Sequence, residues 1–200
     1  MQETLNTQDV KNSRDENLLF LKRWLKHPLR LGAILPSSPA LTGLIARNVN
    51  LRSDSIAVEL GAGTGCVTRM LLQAGIPNEK LYVLELDSEL CEFLKISLPD
   101  VNVIQGDARD LTNLLPKKFV GKVSSVISGM PMTAMPQEIQ RQIIEASFAV
   151  MDKEGEFLQY TYRPGFSPLR AKNFGLDKKR LGMAFRNLPP ATVWRYQKAA

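Results

Sequence analysis

Histidine and cysteine are nearly missing from these 200 residues: there is one histidine, His27, and two cysteines, Cys66 and Cys91. Such a set makes neither a zinc cluster nor a C-x-x-C redox pair, so no metal is expected, and a reducing compartment suits both thiols. No run of eighteen apolar residues occurs either, which argues against a helix spanning a bilayer. The first fifteen residues are polar and hold no apolar signal core, so export is not expected and a cytoplasmic location is. Acidic residues are scarce at one end. Residues 163–200 carry nine Lys/Arg against one Asp/Glu, and residues 1–47 carry seven against four. Between them, residues 48–162 carry ten against fifteen. A mildly acidic middle with two basic ends suits a polyanionic partner, either nucleic acid or an anionic membrane face.

What the chain does have is Ile56-Ala57-Val58-Glu59-Leu60 followed by Gly61-Ala62-Gly63-Thr64-Gly65. A short apolar strand with one acid breaks into a glycine-rich turn, and Cys66-Val67-Thr68-Arg69-Met70 opens a helix. This is a nucleotide-type cofactor site at the first crossover of an α/β sheet. The spacing is G-x-G-x-G. It lacks the longer gap of the dinucleotide fingerprint and the Lys-Ser/Thr of a phosphate loop. Glu85 ends the next apolar run, where a carboxylate can accept both hydroxyls of a ribose. Asp107 follows the run after that, near where an adenine would lie. The series resembles the S-adenosylmethionine (SAM) site of class I methyltransferases.

Strand and helix patterns then alternate: strand 56–60, helix 66–74, strand 81–85, helix 88–97 and strand 101–105. Strand 123–128, helix 137–150 and strand 156–162 follow. Two last strands, 181–185 and 192–196, flank Asn187-Leu188-Pro189-Pro190. The pattern predicts a single α/β Rossmann-like domain, with a seven-stranded, mostly parallel sheet ending in an antiparallel hairpin.

Ahead of it, residues 1–15 show no periodicity and read as a flexible N-terminus. On a helix over 16–27, Leu18, Phe20, Leu21, Trp24 and Leu25 share one side, and Lys22, Arg23 and Lys26 the other. That pattern suits a helix lying in a lipid interface, and equally one docked on its own sheet with a solvated basic side. Ser37 or Ser38 can cap a further helix over 39–47. Residues 16–47 are therefore read as an amphipathic and capping segment, and 48–200 as the methyltransferase domain.

Ligands of open α/β sheets sit beyond the carboxyl ends of the strands, which places Ser128-Gly129-Met130-Pro131-Met132 beside the methyl donor. Methyltransferases of nucleobase amines often carry Asn/Asp-Pro-Pro-Tyr here, whose aromatic stacks on the base. This chain has no aromatic at that point, and Ser128 is the one side chain able to accept. Met130, Met132, Thr133, Ala134 and Met135 suit an apolar group, or serve as core filler. Together with Phe20-x-x-x-Trp24, Gly32-Ala33-Ile34-Leu35-Pro36-Ser37-Ser38-Pro39, Leu84-Glu85-Leu86-Asp87, Gly106-Asp107-Ala108, Phe157-Leu158-Gln159-Tyr160-Thr161-Tyr162 and Asn187-Leu188-Pro189-Pro190, the chain resembles the bacterial phospholipid N-methyltransferases. The likeness runs over residues 18–197. The cofactor portion also looks like the ribosomal RNA adenine dimethyltransferases, without their Asn-Leu-Pro-Tyr.

The resemblance implies SAM as cofactor, held by Glu59, Gly61, Ala62, Gly63 and Gly65, by Glu85 with Leu86, by Asp107 with Ala108, and by Ser128. It implies stepwise methylation of phosphatidylethanolamine to phosphatidylcholine, with RNA or DNA adenine methylation as the alternative. Tyr160, Ser128 and Tyr162 are the catalytic candidates; a tyrosine hydroxyl there orients an amine or simply packs in the core. Anionic lipids would be met by residues 16–27 and by basic residues within 163–180. The enzyme would lie peripherally on the cytoplasmic face of the membrane, with nucleic acid not the expected partner.

Overall fold

Seven strands form one sheet in the order β3-β2-β1-β4-β5-β7-β6. They are β1 (Ile56–Leu60), β2 (Leu81–Glu85), β3 (Asn102–Gln105), β4 (Val123–Ser128), β5 (Met151–Thr161), β6 (Leu176–Ala184) and β7 (Ala191–Lys198). The computed structural model describes residues 39–162, 165–185 and 189–199. The expected helix over 16–27 and the Ser37/Ser38 cap lie outside the described residues. β1 to β5 pair in parallel, whereas β7 runs antiparallel to both β5 and β6. The Rossmann-like sheet with a terminal hairpin is thus the expected one, with β6 at its edge.

Among the described residues five α-helices serve the sheet: α1 (Pro39–Ala46), α2 (Cys66–Gln73), α3 (Ser88–Ser97), the single turn α4 (Leu111–Leu114) and α5 (Gln137–Val150). Strand alternation sends successive side chains to opposite faces. One face joins Ala57, Val83, Ile127, Leu158 and Val193 to Leu41 and Ile45 of α1, Val67 and Leu71 of α2, and Leu94 of α3. On the other face Val58, Leu60, Val126 and Phe157 are buried, and α5 packs against β5. Covering both faces makes β1, β2 and β4 continuously buried, as central parallel strands must be.

Two strands start earlier than the pattern suggests. β5 begins at Met151, paired with Val123, and its register to β4 shifts before Glu156 pairs with Ser125. β6 begins at Leu176, and its run Asp177-Lys178-Lys179-Arg180 is exposed throughout. That run reads as loop because charge replaces alternation. At a sheet edge the charge is functional, since it discourages pairing with another chain.

Candidate active site

The carboxyl ends of β1, β2, β3 and β4 bring the predicted residues to one rim. After Leu60 the chain turns through Gly61, Gly63 and Gly65 at φ of 69°, 59° and 76°. Such values disfavour any residue with a Cβ. Space adds to the constraint at Gly61, where a Cβ would lie 2.8 Å from Met130 Cγ. Gly63 differs: among the described residues a Cβ there would meet nothing within 4 Å. The turn is therefore anchored at its first glycine and open at its second.

Glu85 holds this turn from the neighbouring strand. It is 1% exposed. Its Oε2 accepts the Gly63 N–H at 2.8 Å, and its Oε1 accepts the Asp87 N–H at 3.0 Å. Burial raises its pKa, against the pull of backbone N–H groups of Asp87, Gly63 and Leu86. Each oxygen has a second lone pair beyond the one so used. An open glycine cradle beside a fixed carboxylate fits the ribose end of SAM, the expected cofactor. Asp87 then caps α3, accepting the N–H groups of Glu89 and Leu90.

Glu59 sits below the turn, 2% exposed, its Oε2 accepting the Thr68 hydroxyl at 2.7 Å. Burial raises its pKa to about 7; the Thr68 bond opposes this and Glu85 adds to it. Asp107 caps the turn Ala108–Asp110 through the Arg109 N–H. The Arg109 guanidinium also binds both its oxygens, at 3.0 Å and 2.7 Å. The sequence reading did not single out Arg109. An Asp-x-Arg spacing is too common to signal such a clamp, which leaves the Asp107 carboxylate already engaged.

The structure separates two of the three catalytic candidates from the third. Ser128 pairs in register with Gln159, so these two share a sheet face. Tyr160 and Tyr162 belong to the opposite face, packed against the α1–α3 core with their rings edge to face at 6.1 Å. Ser128 is fully buried and its Oγ accepts the Met130 N–H at 3.2 Å. Tyr160 does reach the end of β4. A Cβ on Gly129 would lie 1.9 Å from its Oη, so only glycine allows this approach. Desolvation, then Tyr162, Glu59 and Cys66, pushes the Tyr160 phenol well above its ordinary pKa. It is a proton donor at neutral pH and no base. Met130, Met132 and Met135 are buried, while Thr133 and Ala134 are exposed. Thr133, Met135, Gln137, Gln140, Ser167 and Arg170 line a cavity of about 440 Å³ between the start of α5 and the segment after β5. Among the described residues no cluster of His, Cys, Asp and Glu could hold a metal.

No protein-family model matches the chain. Over 179 residues it is 32% identical to "Ornithine lipid N-methyltransferase" of Singulisphaera acidiphila, covering 88% of this chain and 93% of that protein. It is 34% identical over 93 residues to "Ribosomal RNA small subunit methyltransferase A" of Hahella chejuensis, covering 42% of this chain and 33% of that protein. Among solved structures, precorrin-6y C5,15-methyltransferase of Geobacter metallireducens superposes with a TM-score of 0.60. The two share 15% identity, over 80% of this chain and 88% of that one.

Proposed function

Because the chain belongs to the class I SAM-dependent methyltransferases, in one family with the lipid N-methyltransferase of Singulisphaera acidiphila, we propose that it methylates the primary amine of a membrane-lipid headgroup. Identity spread over 93% of that relative carries the reading. The likeness to the ribosomal RNA enzyme spans a third of that protein. Phosphatidylethanolamine and an ornithine-headed lipid present the same chemistry, a primary amine in a headgroup, and both are acceptors under this proposal. Successive transfers to phosphatidylethanolamine would give its mono-, di- and trimethylated forms.

SAM supplies an electrophilic methyl on a sulfonium, already activated for transfer to a neutral amine. The protein's part is alignment and exclusion of water. Glu59, Gly61, Ala62, Gly63 and Gly65 shape the donor pocket, Glu85 and Leu86 serve its ribose side, and Asp107 and Ala108 its adenine side. Ser128 borders the donor, and its Oγ accepts the Met130 N–H, so it shapes the backbone there. Tyr160 and Tyr162 offer ring faces and a protonated hydroxyl. Cation–π attraction to a methylated ammonium is worth about 0.5–2 kcal/mol.

The missing ring after Ser128 favours an aliphatic amine over a flat base. Exposed Phe166 and Phe185, each at least 75% accessible, support a membrane-facing rim. β6 runs parallel to β5 and ends at Ala184, opposite Ala191, so Phe185 stands at the carboxyl end of the sheet. Residues 16–27 and the basic residues between 163 and 180 would supply further contact with anionic lipid.

The test is transfer of labelled methyl from SAM to three acceptors: phosphatidylethanolamine vesicles, ornithine-lipid vesicles and total RNA. Label in a lipid extract supports the proposal. Label in RNA alone replaces it with the adenine reading.

A further inference from the structure

Gln159 holds the residue that joins the two halves of the site. Met130 touches the glycine turn, its Cγ 2.8 Å from where a Gly61 Cβ would be. Its backbone is gripped from both sides. The N–H donates to Ser128 Oγ at 3.2 Å, and the C=O accepts Gln159 Nε2 at 2.9 Å and the Met132 N–H at 2.8 Å. Gln159 Nε2 also donates to its neighbour's carbonyl, Tyr160 O, at 3.0 Å.

This grip is bought at the cost of an unmatched acceptor. Gln159 is 1% exposed and its Oε1 has no hydrogen-bond partner among the described residues. On the adjacent strand Trp194, its register partner, and Thr192, two residues along, also carry buried polar atoms without partners among the described residues. A leucine at 159 would spare the protein one orphan oxygen while filling similar space, so packing does not explain the amide. Reaching past the end of β4 to the Met130 carbonyl does.

We infer that Gln159 is a positioning residue for methyl transfer: by pinning the Met130 carbonyl it fixes the 129–132 segment against the Gly61–Gly65 turn. The inference rests on the methyl-transfer reading but not on which acceptor is used. In-line transfer tolerates little misplacement, and a shift near 1 Å costs about a hundredfold. Gln159 is buried, 1% exposed, and acts through the Met130 carbonyl, so its loss is expected to lower kcat and leave substrate binding alone.

The experiment compares wild type, Gln159→Leu and Gln159→Glu as full-length protein, using whichever of amine-lipid vesicles or RNA the wild type methylates. Gln159→Leu is expected to lower kcat by about 10–100-fold with KM for SAM within about twofold. Gln159→Glu separates positioning from mere packing. As a carboxylate it only accepts and repels the Met130 carbonyl; protonated, it regains one O–H donor. Its rate relative to wild type therefore rises as pH falls. A folded Gln159→Leu protein with kcat near wild type overturns the inference, and so does a ratio flat with pH. If Gln159→Leu does not fold, Gln159→Glu alone decides. Should wild type methylate neither acceptor, the proposed function fails. The labelled Met130 methyl resonance then decides: movement with pH in Gln159→Glu but not in wild type supports the inference, and no movement overturns it.

Discussion

At the scale of single residues, two buried carboxylates dominate the site and make different predictions. Glu59 keeps its proton to about pH 7 when folded, against an ordinary value of 4.5. The unfolded chain loses that proton first, so stability falls as pH rises from 4.5 to 7 and is level above. The size is about 3 kcal/mol, from 1.36 kcal/mol per pH unit. Denaturant titrations of Glu59→Gln should lose that slope; a profile parallel to wild type contradicts the burial argument. Glu85 instead accepts two backbone N–H groups and faces the open glycine. Glu85→Gln turns one of those contacts donor against donor. Hydrogen bonds to charged groups contribute about 1.5–3 kcal/mol, so calorimetry should show SAM binding weakened about 10–100-fold. Unchanged affinity would remove Glu85 from the cofactor site. Arg109 shows where residue-level reading stops. Asp107 was visible as the acid after β3, but the arginine occupying both its oxygens has no signature in sequence.

At the scale of elements, the contact between Gly129 and Tyr160 ties the end of β4 to β5. Gly129→Ala should cost about 1–3 kcal/mol by overpacking, and much less in a Tyr160→Ala background, because the two are in contact. Equal costs in both backgrounds would show that the ring does not rest on that glycine. The central strands were legible because continuous apolar runs bounded by turns have few other readings. β1, β2 and β4 begin and end where the pattern put them. The starts of β5 and β6 were hidden, since Met151-Asp152-Lys153-Glu154-Gly155 and Asp177-Lys178-Lys179-Arg180 are polar. Pairing across the sheet overrides that local composition: Met151 joins Val123, and Lys179 joins Arg195. The face of Ser128 has no signal in the sequence either: it follows from register with Gln159 across the sheet.

At the scale of the molecule, charge is segregated: the cofactor region is mildly acidic and the last thirty-eight residues strongly basic. β6 presents part of that charge in the open, with Lys178 lying 5.7 Å over the Trp194 ring. Sparing that pair, Lys179→Gln/Arg180→Gln removes two cations, each worth about 1 kcal/mol beside anionic lipid. Co-sedimentation with anionic vesicles should therefore weaken about 30-fold; undiminished binding would take β6 out of the membrane contact. Among the described residues no helix is long and apolar enough to cross a membrane. The measurement bearing most directly on this account is tandem mass spectrometry of amine-lipid vesicles incubated with the protein and trideuteromethyl-SAM. Label is expected on the headgroup nitrogen of phosphatidylethanolamine or ornithine lipid. Unlabelled lipid, with label on adenine of RNA supplied in the same reaction, would contradict it.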